Sequence, residues 1–181
     1  ISLDYPKKHI NSQINEPVKI MHEIKPVSIV KTPKGETVID FGQNMVGWAA
    51  FRVCGKPGDR VCLSHAEILD KDGNFYTDNL RTAENKVEYI LSGKGEEFYH
   101  PHFTFQGFRY VRIDEYPGEI KLDNFFGKVI YSSLKSTGSF ECSNDDVNKL
   151  YQNILWGQRG NYVDIPTDCP QRDERLGWTG D

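Results

Sequence analysis

Four carboxylates, two guanidinium groups and one indole crowd into the fourteen residues from Asp168 to Asp181: Asp168, Asp173, Glu174 and Asp181, then Arg172 and Arg175, then Trp178. Carboxylates accept hydrogen bonds from hydroxyls, Arg donates through a rigid fork, and Trp offers an apolar face. Together these are the means of gripping a sugar. A solvated, salt-bridged surface loop draws on the same residue types, and spacing alone does not separate the two. Pro166 and Pro170 bias Ile165 and Cys169 away from helical backbone, and Gly177 and Gly180 permit tight turns. The stretch therefore reads as extended and turned.

The elements that must position this stretch come before it. Residues 1–17 are polar and aperiodic, reading as a linker or the tail of an upstream domain. From Val27 the chain falls into short strand-like runs: Val27–Lys31, Thr37–Phe41, Trp48–Val53, Val61–Ile68, Lys86–Leu91, Phe98–Tyr99, Phe103–Phe105, Phe108–Ile113 and Phe126–Tyr131. Turn signals rich in Pro, Gly and Asp separate them, as in an antiparallel sandwich. Pro33-Lys-Gly35 makes a hairpin of the first two runs. Asp40 to Trp48 mixes amides, glycines and an indole, which a sugar could touch; a strand end with Trp48 in the core is the better reading. Phe103, Phe105, Phe108 and Tyr110 read as core, with Gly107 as a bulge. After a last strand-like piece, Gly138–Cys142, the period changes. Val147, Leu150, Tyr151, Ile154 and Leu155 recur at helical spacing behind a cap at Ser143 or Asn144. That change predicts a β-sandwich over 18–134 and the start of a helical domain over 135–181. The helix stripe needs either the sandwich or further helices to cover it.

The run DCPQRDERLGWTGD resembles the start of the catalytic domain of bacterial α-L-rhamnosidases, the inverting glycoside hydrolase family 78, and WGQRGNYVDIPT before it fits the same pattern. DFGQNMVGW, YTDNLRTA, FTFQGFRYVRI and TGSFECS follow the family's order upstream, so the likeness extends over roughly residues 16 to 181. It implies a mainly β, antiparallel concanavalin-like or jelly-roll β-sandwich, followed by the first helix and active-site loop of a truncated (α/α)6 barrel. It also implies Glu174 as general acid, with Asp168, Arg172, Trp178 and Asp181 lining the pocket that holds rhamnose. The general base would be a glutamate beyond Asp181, so the chain alone is expected to be inactive. Residues 160–181 are expected to be poorly ordered or abnormally placed.

The chemistry suits those roles. Negative charge on Asp168 and Asp181 favours a protonated Glu174, while Arg172 pulls the other way. Trp178 can pack on the apolar C6 methyl of a deoxy sugar, or can be a structural core indole. Acid-base hydrolysis needs only water and carboxyls, so no cofactor is expected and no metal cage is recognisable. Asp173 and Arg175 read as a structural ion pair, and an orienting role for Asp164 has no residue-level warrant.

Composition bounds the alternatives. The 181 residues are 38% hydrophobic and 27% charged, with a net charge of −4, as in an ordinary soluble domain. That charge gives no reason to expect nucleic acid or an anionic membrane as partner. No apolar run reaches membrane-spanning length, and no signal peptide is visible. Cys54, Cys62, Cys142 and Cys169 show no close pairing, which reads as free thiols in a reducing cytoplasm. Both ends read as cut. The expected partners are rhamnose-containing glycosides and the remainder of the chain's own catalytic barrel. The competing function is a non-catalytic sandwich that binds carbohydrate or supports a neighbouring domain, for which the motif from Asp168 to Asp181 would be superfluous.

Overall fold

A computed structural model of the chain describes residues 7–173 and 177–179. Its elements run β1 (Val18–Ile24), β2 (Ser28–Lys31), β3 (Thr37–Cys54), β4 (Arg60–Ala66), β5 (Lys86–Ile90), β6 (Glu96–Tyr99), β7 (Gln106–Glu115), β8 (Phe125–Ser132), α1 (Asp145–Gly160), β9 (Tyr162–Val163) and β10 (Ile165–Pro166). Strands β1 to β8 join in one antiparallel arrangement, ordered β1-β8-β3-β7-β4-β5, with β2 and β6 also paired to β3. The mainly β, antiparallel expectation is met.

Strand β3 organises the whole. Its first half pairs with β2 and β7, and its second half with β8 and β6. Gly47 is where it changes partners, since it pairs with Gln106 of β7 and with Val129 of β8. A side chain there is impossible: an added Cβ would stand 1.8 Å from the Lys128 carbonyl oxygen, and φ is +150°. Just upstream, the register slips between Asp40 and Met45. Arg109 braces that slip by donating to both Asp40 carboxylate oxygens at 2.8 Å, while the Gly42 amide donates to the same group at 2.6 Å.

The two halves of β3 enclose a core with β4, β7 and β8. Phe41, Phe51, Phe108 and Phe125 are fully buried in it, Phe41 meeting Phe108 edge-on at 5.7 Å. Each such ring contributes about 1.5–3 kcal/mol relative to exposure. The predicted runs 37–41 and 48–53 are parts of one 18-residue strand, because glycines that read as breakers let it bend instead.

Four expectations need correction. Phe103 is fully exposed at φ +58°, because β7 begins only at Gln106 and leaves 103–105 in a loop. Trp48 is half-buried and stacked on His100, with ring centroids 5.4 Å apart. Gly107 lies in regular register with Val46 and is no bulge; its role is a close approach described below. Gly138–Cys142 forms no strand.

Helix α1 starts where expected, Asn144 accepting from the amides of Asp146 at 3.0 Å and Val147 at 3.3 Å. Of the two covers its apolar stripe could take, the sandwich is not the one used. Val147, Leu150 and Ile154 remain exposed, and contact with β3 and β8 is made near its C-terminal end. There Trp156 is partly buried against the core, and Gly160 is buried against Val46.

Candidate active site

Beyond α1 the backbone reverses twice. Asp164 adopts a left-handed φ of +73° between β9 and β10, and its amide donates to Ser132 Oγ at 2.9 Å. Its carboxylate accepts from Gln13 at 3.2 Å, so Asp164 ties this hairpin to the sandwich and to the N-terminal segment. The Thr167 amide then donates to the Asn161 carbonyl at 2.8 Å, and the Trp178 amide to the Pro166 carbonyl at 3.2 Å.

The turn that follows brings Asp168, Cys169 and Arg172 together. The Arg172 amide donates to the Cys169 carbonyl at 3.2 Å, its guanidinium donates to Cys169 Sγ, and a guanidinium nitrogen lies 3.7 Å from the Asp168 carboxylate. Burial pushes the Cys169 thiol above its ordinary pKa, so it stays protonated beside Arg172. Asp168 is left with acceptor capacity facing a cleft of about 420 Å³ between α1, β3 and the loop. Asn44, Glu67, Asn153 and Asn161 also line that cleft, and Asn44 Nδ2 donates to Glu67 Oε1 at 3.0 Å. Such a lining of amides and carboxylates, with Trp156 as an apolar wall, matches the groups of a polyhydroxylated ligand.

The sandwich grips the loop directly. Asn85 Nδ2 donates to the Gln171 carbonyl at 2.8 Å, and Thr82 Oγ1 to Asp173 Oδ2 at 2.9 Å. Gly107 allows the Gln171 backbone to lie against β7. Asn85 is itself fixed: its carbonyl accepts from the His65 amide at 3.0 Å and faces His65 Nδ1 at 3.0 Å. His65 is completely buried, and desolvation lowers its pKa to about 4, so the ring is neutral and donates from Nδ1. Gly160, Asp164, Gln171 and Asp173 thus have defined partners in the sandwich, while residues 174–176, 180 and 181 of the stretch expected to be misplaced lie outside the described residues.

Of the five sequence-predicted site residues, Asp168 and Arg172 are brought together and Asp168 lines the cleft. Trp178 is half-exposed and does not line it. Glu174 and Asp181 lie outside the described residues. Sequence reasoning passed over Glu67, Thr82 and Asn85, and weighed Asn44 and Asp173 only to set them aside. Two of the motifs quoted for the resemblance, DFGQNMVGW and YTDNLRTA, pointed to Asn44 and Thr82.

Comparison with known proteins identifies the family. Residues 30–131 match the family described as bacterial alpha-L-rhamnosidase concanavalin-like domain, and residues 135–181 the bacterial alpha-L-rhamnosidase 6 hairpin glycosidase domain. An alpha-L-rhamnosidase of Streptomyces avermitilis is 47% identical over 178 residues, covering 98% of this chain and 17% of that protein. The native rhamnosidase structure from Aspergillus terreus superposes with a TM-score of 0.91 at 43% identity, covering 98% of this chain and 21% of that one. A Streptomyces avermitilis alpha-L-rhamnosidase complexed with L-rhamnose gives 0.89 at 47% identity, covering 94% and 17%. The chain spans 17–19% of the length of the curated relatives it matches. With both its sandwich and its C-terminal loop matched, the chain belongs to the bacterial α-L-rhamnosidase family.

Proposed function

We propose that this chain is the section of an inverting α-L-rhamnosidase that supplies the general acid, Glu174, for removing terminal α-L-rhamnosyl residues from glycosides. Residues 18–134 are its supporting sandwich, and 135–181 open the catalytic helical domain. The observation that carries the reading is Asp168, set beside Arg172 on a polar cleft, six residues before Glu174 in the family's motif. Rhamnose as the sugar is supported by the related structure complexed with it.

Inversion needs a proton on the leaving oxygen and a second carboxylate activating water, roughly 6.5–9.5 Å away. Glu174 provides the first. The second comes from sequence beyond Asp181. Asp168 accepts from sugar hydroxyls at the cleft, and the family's pattern adds Asp181 as acceptor and Arg172 as donor; Trp178, which does not line the cleft, is assigned to the deoxy C6 methyl by that pattern alone.

The test is Glu174→Gln in the rhamnosidase polypeptide that carries this section. A natural glycoside with an alkoxide leaving group should lose about 10²–10⁴ in rate, while an aryl rhamnoside releasing a stabilised phenolate is partly spared. Asp168→Asn should instead weaken both substrates alike, chiefly through KM. Equal impairment of both substrates by Glu174→Gln, or none, would remove Glu174 from the acid role. The section alone should show no turnover.

A further inference from the structure

We infer that Asn85, assisted by Thr82, is a positioning residue that sets the acid loop from the sandwich side. This rests on the reading of Glu174 as general acid. Three contacts converge on the residues immediately before Glu174: Asn85 holds the Gln171 carbonyl, Thr82 holds the Asp173 carboxylate, and Gly107 admits the Gln171 backbone. All three anchors come from the sandwich.

The anchor segment is built to be rigid at one end. Asn85 is buried and sits at φ +46°, and Arg81, four residues earlier, at φ +56°. Left-handed backbone in residues other than glycine persists where surrounding contacts over-determine it, and it clusters at functional sites. Here the determinant is the fully buried His65 on β4, which meets the Asn85 carbonyl with both its amide and its ring. Asn85 therefore links the sandwich core to the loop through two 3.0 Å contacts on one side and one of 2.8 Å on the other. Because it grips Gln171 by the main chain, it fixes where the chain runs and not which sugar binds. A shift at 171–173 passes to Glu174 through one peptide unit, and misplacing a reacting group by 1 Å can cost about 10²-fold.

The experiment compares Asn85→Asp, Thr82→Val and Thr82→Ser in the rhamnosidase polypeptide carrying this section. Asn85→Asp keeps size and left-handed backbone but turns the donor into an acceptor facing the Gln171 carbonyl. The expected result is a kcat loss of about 10-fold to 100-fold on an alkyl rhamnoside, a smaller loss on an activated aryl rhamnoside, and little change in KM. Thr82→Val should show a weaker form of this pattern, and Thr82→Ser should restore it. Equal losses on both substrates, a loss confined to KM, or no rescue by Ser overturns the positioning role. Hydrogen exchange at the Arg172 amide in the same polypeptide separates this inference from the one beneath it. Faster exchange in Asn85→Asp with an inactive parent keeps the anchor and discards the acid reading, whereas unchanged exchange discards the anchor whatever the activity.

Discussion

Gly107 lies so close to Gln171 that a Cβ built on it would stand 3.0 Å from the Gln171 nitrogen and 3.1 Å from its Cβ. The backbone of the loop, not a flexible side-chain tip, is what an added methyl meets. Gly107→Ala should therefore push residues 169–172 outward by a few tenths of an ångström. The expected outcome is a several-fold to about tenfold loss of kcat in the rhamnosidase polypeptide, with about 1 kcal/mol of overpacking cost in denaturant titration. Unchanged kcat with lowered stability would show that the loop absorbs the shift.

Val46 pairs with Gly107 across the strands, and its side chain also receives Gly160 at the end of α1. A Cβ on Gly160 would come within 2.9 Å of Val46 Cγ2. Gly160→Ala should destabilise the helix docking by about 1 kcal/mol despite improved helix propensity. Adding Val46→Ala should recover part of that loss, giving a non-additive pair. Unfolding of the two single variants and the double variant measures the coupling, and strict additivity would refute the contact.

His65 gives the fold a pH dependence in the mildly acidic range. Its pKa is about 4 in the folded chain, lowered chiefly by burial, against about 6.5 when unfolded. Between these values the unfolded state binds more protons, so stability is complete above about pH 6.5 and falls as the pH is lowered toward 4. The loss should reach about 2–3 kcal/mol near pH 4.5. Urea titrations at neutral pH and at about pH 4.5 read this, and His65→Gln, with nothing to protonate, should flatten the slope.

The pair Asp40–Arg109 acts in a lower window. Its hydrogen bonds with Arg109, above all, hold the Asp40 carboxyl below its ordinary pKa. Its stabilisation is present above the unfolded carboxylate value near 4 and disappears as the pH falls through the lower folded value. Arg109 keeps 38% of its side chain exposed, so solvent screening limits the pair to about 1 kcal/mol. Arg109→Met should cost that much at neutral pH and make the stability loss below about pH 4 shallower. An unaltered acid slope would exclude the pair as its source.

Much of the sandwich was legible because its signals are local. The β2–β3 hairpin follows from Pro33 to Gly35 between two apolar runs, and Asn144 announces α1 by capping chemistry. The length of β3 was not legible, since Gly42 and Gly47 look like strand ends when only neighbours in sequence are considered. Phe103 was misplaced because an aromatic pattern does not reveal where pairing stops. The apolar stripe of α1 records what that face suits, while its docking depends on Trp156 and Gly160 at one end. At the candidate site, the proximity of Asp168 and Arg172 follows from their spacing in a dense motif. The contacts of Asn85 and Thr82 were not legible, because their partners lie 86 and 91 residues away and no local pattern encodes such a distance, even though the YTDNLRTA motif contains Thr82.

The three loop anchors, Thr82, Asn85 and Gly107, all precede the loop in the chain, so the order of synthesis matters to how the site is assembled. Domains tend to fold as units from the N-terminal side as they emerge from the ribosome, at about 5–20 residues per second. By the time residues 168–173 leave the tunnel, β3, β4 and β7 have already been made. The sandwich can then serve as a jig on which the loop is seated during translation. Variants at Asn85 or Gly107 should accordingly lower the yield of active protein during synthesis more than they lower the stability of molecules that have already matured.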